Sequence, residues 1–281
     1  MHPLVKVTIS LPFPSPLPPC QHQTNINSGA NQGIGYETAK NLLLSSPSPS
    51  SSPSQTYHVL LACRSLPRGL EAVETLRSLP SLRGTVEALQ LDVTDDASVD
   101  AAARYVRETY WRVDVLVNNA GVGSLIRGNG GGVRDAMRKV LETNVVGAVS
   151  VTEAFMPLLL SYEEEGERVR RRKRLLFLCS TTGSFTYAGD PAHALRAAGG
   201  AMDYRTSKAA LGMVVMQYYA QLRQKGVFVL GVNPGCEFVA PFLACFSGSH
   251  SSVSISFREG GTLRSGKIVL WAAPFKCLML T

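Results

Sequence analysis

Along the chain, short and mostly apolar runs alternate with segments whose apolar residues recur at helical spacing. The runs at 57–62, 113–117, 175–179 and 227–232 lack in-out alternation, which predicts strands buried on both faces, and 86–93 predicts a further strand. Between them, Leu70, Val73 and Leu76 mark a helix over 68–79, and Asp95 or Asp96 is placed to cap a helix over 97–110. A long helix containing Asn144 follows the glycine-rich stretch 121–132, another carries Tyr204 and Lys208, and a first helix starts within 28–35 and runs to Leu44. Strands and helices alternate with no hairpin signal. The pattern therefore predicts a single-domain α/β fold with a doubly wound parallel sheet.

Both ends of the chain depart from this rhythm. The apolar strand predicted at 4–9 is followed by Pro12, Pro14, Pro16, Pro18 and Pro19 and then by the polar stretch 21–27, which the pattern excludes as a central strand. Either Thr24 to Asn27 stands in as a poor substitute for that strand or an insertion displaces the glycine loop, so an irregular first strand is expected. Residues 45–54 form a Ser/Pro tract that predicts a surface loop, and 242–266 is rich in Ser and Gly. Beyond Lys267 there is room for one helix or one strand, so the last strand of the sheet is in question.

Composition narrows the class. A chain of 281 residues with 45% hydrophobic and 17% charged residues can bury one large core. No apolar run reaches the roughly 18 residues of a membrane helix, and the early prolines break any signal-peptide core, so a cytoplasmic protein is expected, without a membrane partner. The six cysteines form no Cys-x-x-Cys pair and have no His at metal-ligand spacing, which predicts free thiols and no metal. The net charge of +7 owes much to Arg168, Arg170, Arg171, Arg172, Lys173 and Arg174. That run directly follows Glu163, Glu164, Glu165 and Glu167, and opposite blocks side by side read as a solvated, self-neutralising connection; a nuclear address or phosphate patch is the alternative. No aromatics interleave with the basic residues, so no nucleic-acid partner is expected.

The candidate chemistry gathers where the predicted strands end, the edge at which open α/β sheets bind ligands. Gly29, Asn31, Gly33, Ile34 and Gly35 form a glycine-rich turn into a helix start, whose free N–H groups suit a phosphate. Tyr204 and Lys208 stand four apart on a helix and share a face; a nearby ammonium lowers a phenol from its ordinary pKa of about 10. Ser180 offers a hydroxyl that could anchor a carbonyl oxygen. The second strand ends in Arg64, with Arg68 close behind and no acid at the turn, which favours the 2′-phosphate of NADP(H) over the bare ribose of NAD. Each residue has a plainer reading. Ser180 could cap a turn, Asn144 could satisfy backbone groups inside a helix, Tyr204 and Lys208 could be a surface pair, and Arg64 could merely face solvent.

In order, Gly29-x-x-x-Gly33-Ile34-Gly35, Asn118-Asn119-Ala120-Gly121, Asn144, Ser180, Tyr204-x-x-x-Lys208 and Pro234-Gly235 resemble the short-chain dehydrogenase/reductase family over about residues 28–235. The resemblance implies a Rossmann-type sheet, a cofactor-binding catalytic domain over 28–240 between an N-terminal segment 1–27 and a divergent segment 241–281, and an oxidoreductase acting on a small-molecule carbonyl or alcohol with NADP(H). It also implies roles: Tyr204 as general acid/base, Lys208 on the nicotinamide ribose, Asn144 holding a relay water, Asp92 and Val93 against the adenine, Asn119 near the adjacent ribose, and Pro234-Gly235 beside the cofactor. A homodimer is compatible with it. The chain departs from the family in having Ser28 for the usual Thr, Cys179 for a common Ser, and Cys236-Glu237-Phe238 where a Thr usually follows the Pro-Gly pair. A cofactor-binding protein without turnover is therefore the alternative function.

Overall fold

Six parallel strands carry the fold: β1 (Gln23–Ser28), β2 (Tyr57–Cys63), β3 (Thr85–Gln90), β4 (Val115–Asn118), β5 (Lys173–Leu178) and β6 (Val227–Asn233). The computed structural model describes residues 22–46, 56–125, 132–161, 173–190 and 201–234, with the backbone of 255–259, 262–266 and 276–277. The strand expected at 4–9, Arg168 to Arg172 and Gly235 lie outside the described residues. The strands pair in the order β3-β2-β1-β4-β5-β6. This is the doubly wound arrangement, with the order reversing between β1 and β4.

The helices are α1 (Gly33–Ser45), α2 (Leu66–Arg77), α3 (Asp96–Tyr110), α4 (Val133–Leu141), α5 (Gly147–Leu159), α6 (Phe185–Gly189) and α7 (Met202–Leu222). The alternation of β2 shows how they are recruited. Val59, Leu61 and Cys63 pack with Ala39 and Leu43 of α1 and Val73 and Leu76 of α2, whereas Leu60 and Ala62 join a cluster with Val99 of α3 and Val151 of α5. Successive residues point to opposite faces, so an unbroken apolar run needs helices on both. Of the two candidate caps for α3, Asp95 is the one used: its carboxylate accepts from Ala97 N at 3.0 Å.

The stretch excluded from the sheet's centre is in fact its central strand. Gln23 to Ser28 pairs with β2 on one side, Ser28 opposite Ala62, and with β4 on the other, Ile26 opposite Leu116. It is regular, and residues 24–28 are all buried. Three of its polar side chains bond to backbone carbonyls: Asn25 donates to Gln23 O at 2.8 Å, Asn27 to Gly35 O at 2.9 Å and Ser28 to Val117 O at 3.2 Å, while Thr24 Oγ1 and Asn27 Oδ1 are buried without a partner among the described residues. A buried polar side chain that is hydrogen-bonded loses most of its penalty.

The strand is anchored at its start by Asp114, which is fully buried. Its carboxylate accepts from Thr24 N at 2.8 Å and lies 3.6 Å from Arg112 Nε and 3.3 Å from Lys173 Nζ. Lys173 is thus no part of a solvated connection: it opens β5, and among the described residues the acid that neutralises it is Asp114.

The far end of the sheet also differs from expectation. A hairpin of β7 (Ile255–Glu259) and β8 (Thr262–Gly266) forms its own two-stranded sheet, and β9 (Lys276–Cys277) pairs antiparallel with the end of β6. The hairpin had a signal in the sequence, Gly260-Gly261 between two short runs. A last strand is therefore present, but it is two residues long.

Candidate active site

The glycine turn after β1 lies against the turn after β4, and its residues allow nothing larger. Gly29 has φ +63°, and a Cβ on it would sit 2.8 Å from Ala120 Cα. The Ser28 hydroxyl accepts from the backbone N–H groups of Asn119 and Ala120, each at 3.1 Å. The Asn119 amide donates back to Ser28 O at 2.7 Å and Gly29 O at 3.1 Å. Asn119 therefore braces the turn, and any contact with a ribose is left to its other atoms.

At the start of α1, the N-cap Gln32 makes no side-chain capping bond, and nothing lies within 4 Å of where a Cβ on Gly33 would be. Asn31 and Ile34 flank this opening, both half-buried. An uncapped helix start beside open space fits a diphosphate. One residue past β2, Arg64 is exposed, as is Arg68, and neither guanidinium has a polar partner among the described residues.

The other candidates at this end are engaged locally. β3 stops at Gln90, and the Asp92 carboxylate accepts from Thr94 N at 3.0 Å and Thr94 Oγ1 at 2.7 Å. Val93 is buried in the core, where its carbonyl and side chain crowd the position of a Cβ on Gly147, at 2.7 and 2.9 Å.

The reacting end is built on β5 and α7. Ser180 follows β5, and its hydroxyl lies 2.9 Å from Thr182 Oγ1 and accepts from Thr182 N at 3.3 Å. It caps a single 3₁₀ turn, Thr181–Gly183, as the plainer reading of this residue has it. The turn is docked on α7: Arg205 Nε donates to Thr182 O at 3.0 Å, and a Cβ on Gly183 would meet Lys208 C and Ala209 N at 2.6 Å. Gly183→Ala should therefore lift Ser180 off α7; we expect turnover to fall by more than the roughly tenfold that corresponds to 1.4 kcal/mol. Steady-state kinetics with unaltered kcat would contradict this packing.

Lys208, buried at 8% exposure, donates from Nζ to Leu178 O at 2.7 Å, two residues before Ser180, and sits 5.5 Å from the centroid of the Tyr204 ring. Burial pushes its pKa below the ordinary lysine value, an effect that Cys179 partly opposes; burial raises the Cys179 thiol, with Lys208 opposing. The sheet thus brings Ser180, Tyr204 and Lys208 to one strand end. A cavity of about 350 Å³ lies nearby, but Arg205, Thr206 and Ala209 line it and Tyr204 and Lys208 do not, so it faces another side of α7.

Asn144 lies in a π-helical turn, Glu142–Val146, between α4 and α5. Its side chain accepts from Val122 N at 2.8 Å and donates to Val122 O and Ser207 Oγ, each at 3.0 Å. This is the structural reading of Asn144, a clamp on the loop after β4. Pro234 stands just past β6, at the same edge of the sheet.

A family profile described as short chain dehydrogenase matches residues 26–237. The chain belongs to the short-chain dehydrogenase family. Over 239 residues it is 35% identical to the short-chain dehydrogenase/reductase tropE of Talaromyces stipitatus, covering 79% of this chain and 80% of that protein. A shorter match of 130 residues, 42% identical, relates 46% of the chain to 37% of human 17-beta-hydroxysteroid dehydrogenase type 1. Among solved structures, an NADPH-bound carbonyl reductase from chicken fatty liver superposes with a TM-score of 0.60 at 28% identity, over 76% of this chain and 79% of that one. No helix among the described residues is long and apolar enough to cross a membrane.

Two residues of this short-chain dehydrogenase escaped the sequence reading: Ser207, which donates to Tyr204 O at 2.7 Å, and Asp203, fully buried in the first turn of α7. The signal for Asp203 was an acid one residue before a candidate tyrosine, at a helix start.

Proposed function

We propose that the protein is an NADP(H)-dependent oxidoreductase that moves a hydride between the cofactor and a carbonyl or secondary alcohol, with Tyr204 as general acid/base. The observation that carries this reading is the position of the Lys208 ammonium, 5.5 Å from the Tyr204 ring and bonded to the strand end that leads into Ser180. A cation held there favours the phenolate and brings the phenol's proton within reach of neutral chemistry.

The residues fit the cofactor. The open helix start after Gly29 would take the diphosphate, and the exposed Arg64 and Arg68 suit a 2′-phosphate. When bound, NADPH supplies the hydride that reaches the carbonyl carbon. Tyr204 gives its proton to the carbonyl oxygen, Ser180 holds that oxygen by a hydrogen bond, and Lys208 stabilises the phenolate until a proton returns from solvent. Oxidation of an alcohol is the same path reversed.

The NADPH-bound state of the chicken carbonyl reductase supports the choice of cofactor. Arg64→Asp should move preference toward NADH by at least about tenfold, since it replaces a phosphate partner by an acceptor for the ribose hydroxyl. An unchanged NADPH/NADH ratio of kcat/KM would assign the 2′-phosphate to another group.

The sheet's end favours a second reading, a cofactor binder without turnover, because β9 offers only two antiparallel residues beside β6. Purified protein with NADPH and a broad carbonyl panel separates the two: oxidation of NADPH at any carbonyl establishes the oxidoreductase, and cofactor fluorescence without oxidation establishes the binder.

A further inference from the structure

We infer that Asp203 is a positioning residue that locks the loop after β4 onto the helical turn carrying Tyr204. The assignment deepens the reading of Tyr204 as proton donor and rests on it. Oδ1 of this buried carboxylate accepts from Ser124 Oγ at 2.6 Å and from Tyr204 N at 2.8 Å, and Oδ2 accepts from Leu125 N at 2.7 Å. One side chain thus ties two elements that are 78 residues apart in sequence. A carboxylate with several donors aimed at it makes stronger hydrogen bonds than a neutral acceptor, and its place in a first helical turn adds the favourable end of the dipole.

The network closes on itself. Two residues earlier in the loop, Val122 is held at both backbone groups by Asn144, whose amide also donates to Ser207 Oγ. Ser207 donates in turn to Tyr204 O. The backbone N–H of Tyr204 is therefore held by Asp203 and its carbonyl by Ser207, so the tyrosine's turn is fixed from both sides. The N-cap position, Ala201, supplies no side-chain cap, and in the first turn of α7 the Asp203 carboxylate accepts from Tyr204 N. A proton donor works only within a narrow range of positions, so a residue that fixes its backbone and the neighbouring loop together acts on the rate through geometry.

Asp203→Asn tests this. The amide keeps the shape but turns one acceptor into a donor, so either the loop or the tyrosine's N–H loses its partner. With NADPH and the carbonyl panel, kcat should fall about tenfold or more, while the dissociation constant of NADPH stays within about twofold. Ser124→Ala, which removes one of the two bonds that the described loop residues make to the carboxylate, should give a smaller fall in the same parameter. A carboxylate that only stabilises the fold would lower the melting temperature and leave kcat of the folded enzyme unchanged, and that result overturns the assignment. Should the natural protein turn over no carbonyl, the proposed function fails, and hydrogen exchange then decides the clamp separately. Faster exchange at the Val122 and Leu125 amides in Asp203→Asn sustains it, and equal rates remove it.

Discussion

Tyr204→Phe should lower kcat by about 10²- to 10⁴-fold, the range of a lost general acid, and should leave NADPH affinity unaltered. The expectation follows from how little else the substitution changes. The hydroxyl is removed while the ring stays, so the contact with Lys208 at 5.5 Å survives. The turn is held through the backbone of residue 204, by Asp203 and Ser207. Lys208 also keeps its bond to Leu178 O. A loss of rate without a loss of folding or cofactor binding would thus isolate the proton transfer. Equal kcat in the variant rejects Tyr204 as the acid and moves the search to the other hydroxyl groups of this edge.

Asp114→Ala has the largest expected effect on stability, a loss of roughly 3–5 kcal/mol, because breaking a buried ion pair strands the remaining charges. Arg112 and Lys173 would share a buried site without their common anion, and Thr24 N would lose its acceptor. A typical domain has about 5–15 kcal/mol in total, so the variant should unfold at a much lower urea concentration. The site is also remote in kind from the chemistry: it pins the start of β1, whereas the glycine turn follows that strand's other end. Folded variant at low temperature should therefore retain its kcat. An unfolding free energy within about 1 kcal/mol of the natural protein's would show that the core relaxes around the cations.

Sequence and structure agree best where burial is total and apolar. Residues 59–62 of β2, all buried, needed no partner to be recognised, since a two-faced apolar run has few other uses. They part at β1, where the deciding interactions are to carbonyls from elsewhere in the chain. Nothing in Thr24-Asn25-Ile26-Asn27 announces that Gly35 O will accept from Asn27 or that Val117 O will accept from the adjacent Ser28. The same holds for Lys173, whose place in an arginine-rich run suggested solvent and whose acid lies 59 residues earlier. Asn144 shows a third case: its position was legible, but its work on Val122 became visible only with the loop in place.

By itself the amino-acid sequence determined the alternating α/β architecture, the glycine turn, and the four-residue spacing that lets a tyrosine and a lysine share a helix face, because these follow from local periodicity and the geometry of one helix. Only the tertiary structure decided which segment fills the centre of the sheet, that Ser180's turn seats on α7 through Gly183, and that a buried aspartate links a distant loop to Tyr204. Those outcomes depend on hydrogen bonds and close contacts between residues far apart in the chain, and no local pattern encodes a partner that folding has yet to bring near.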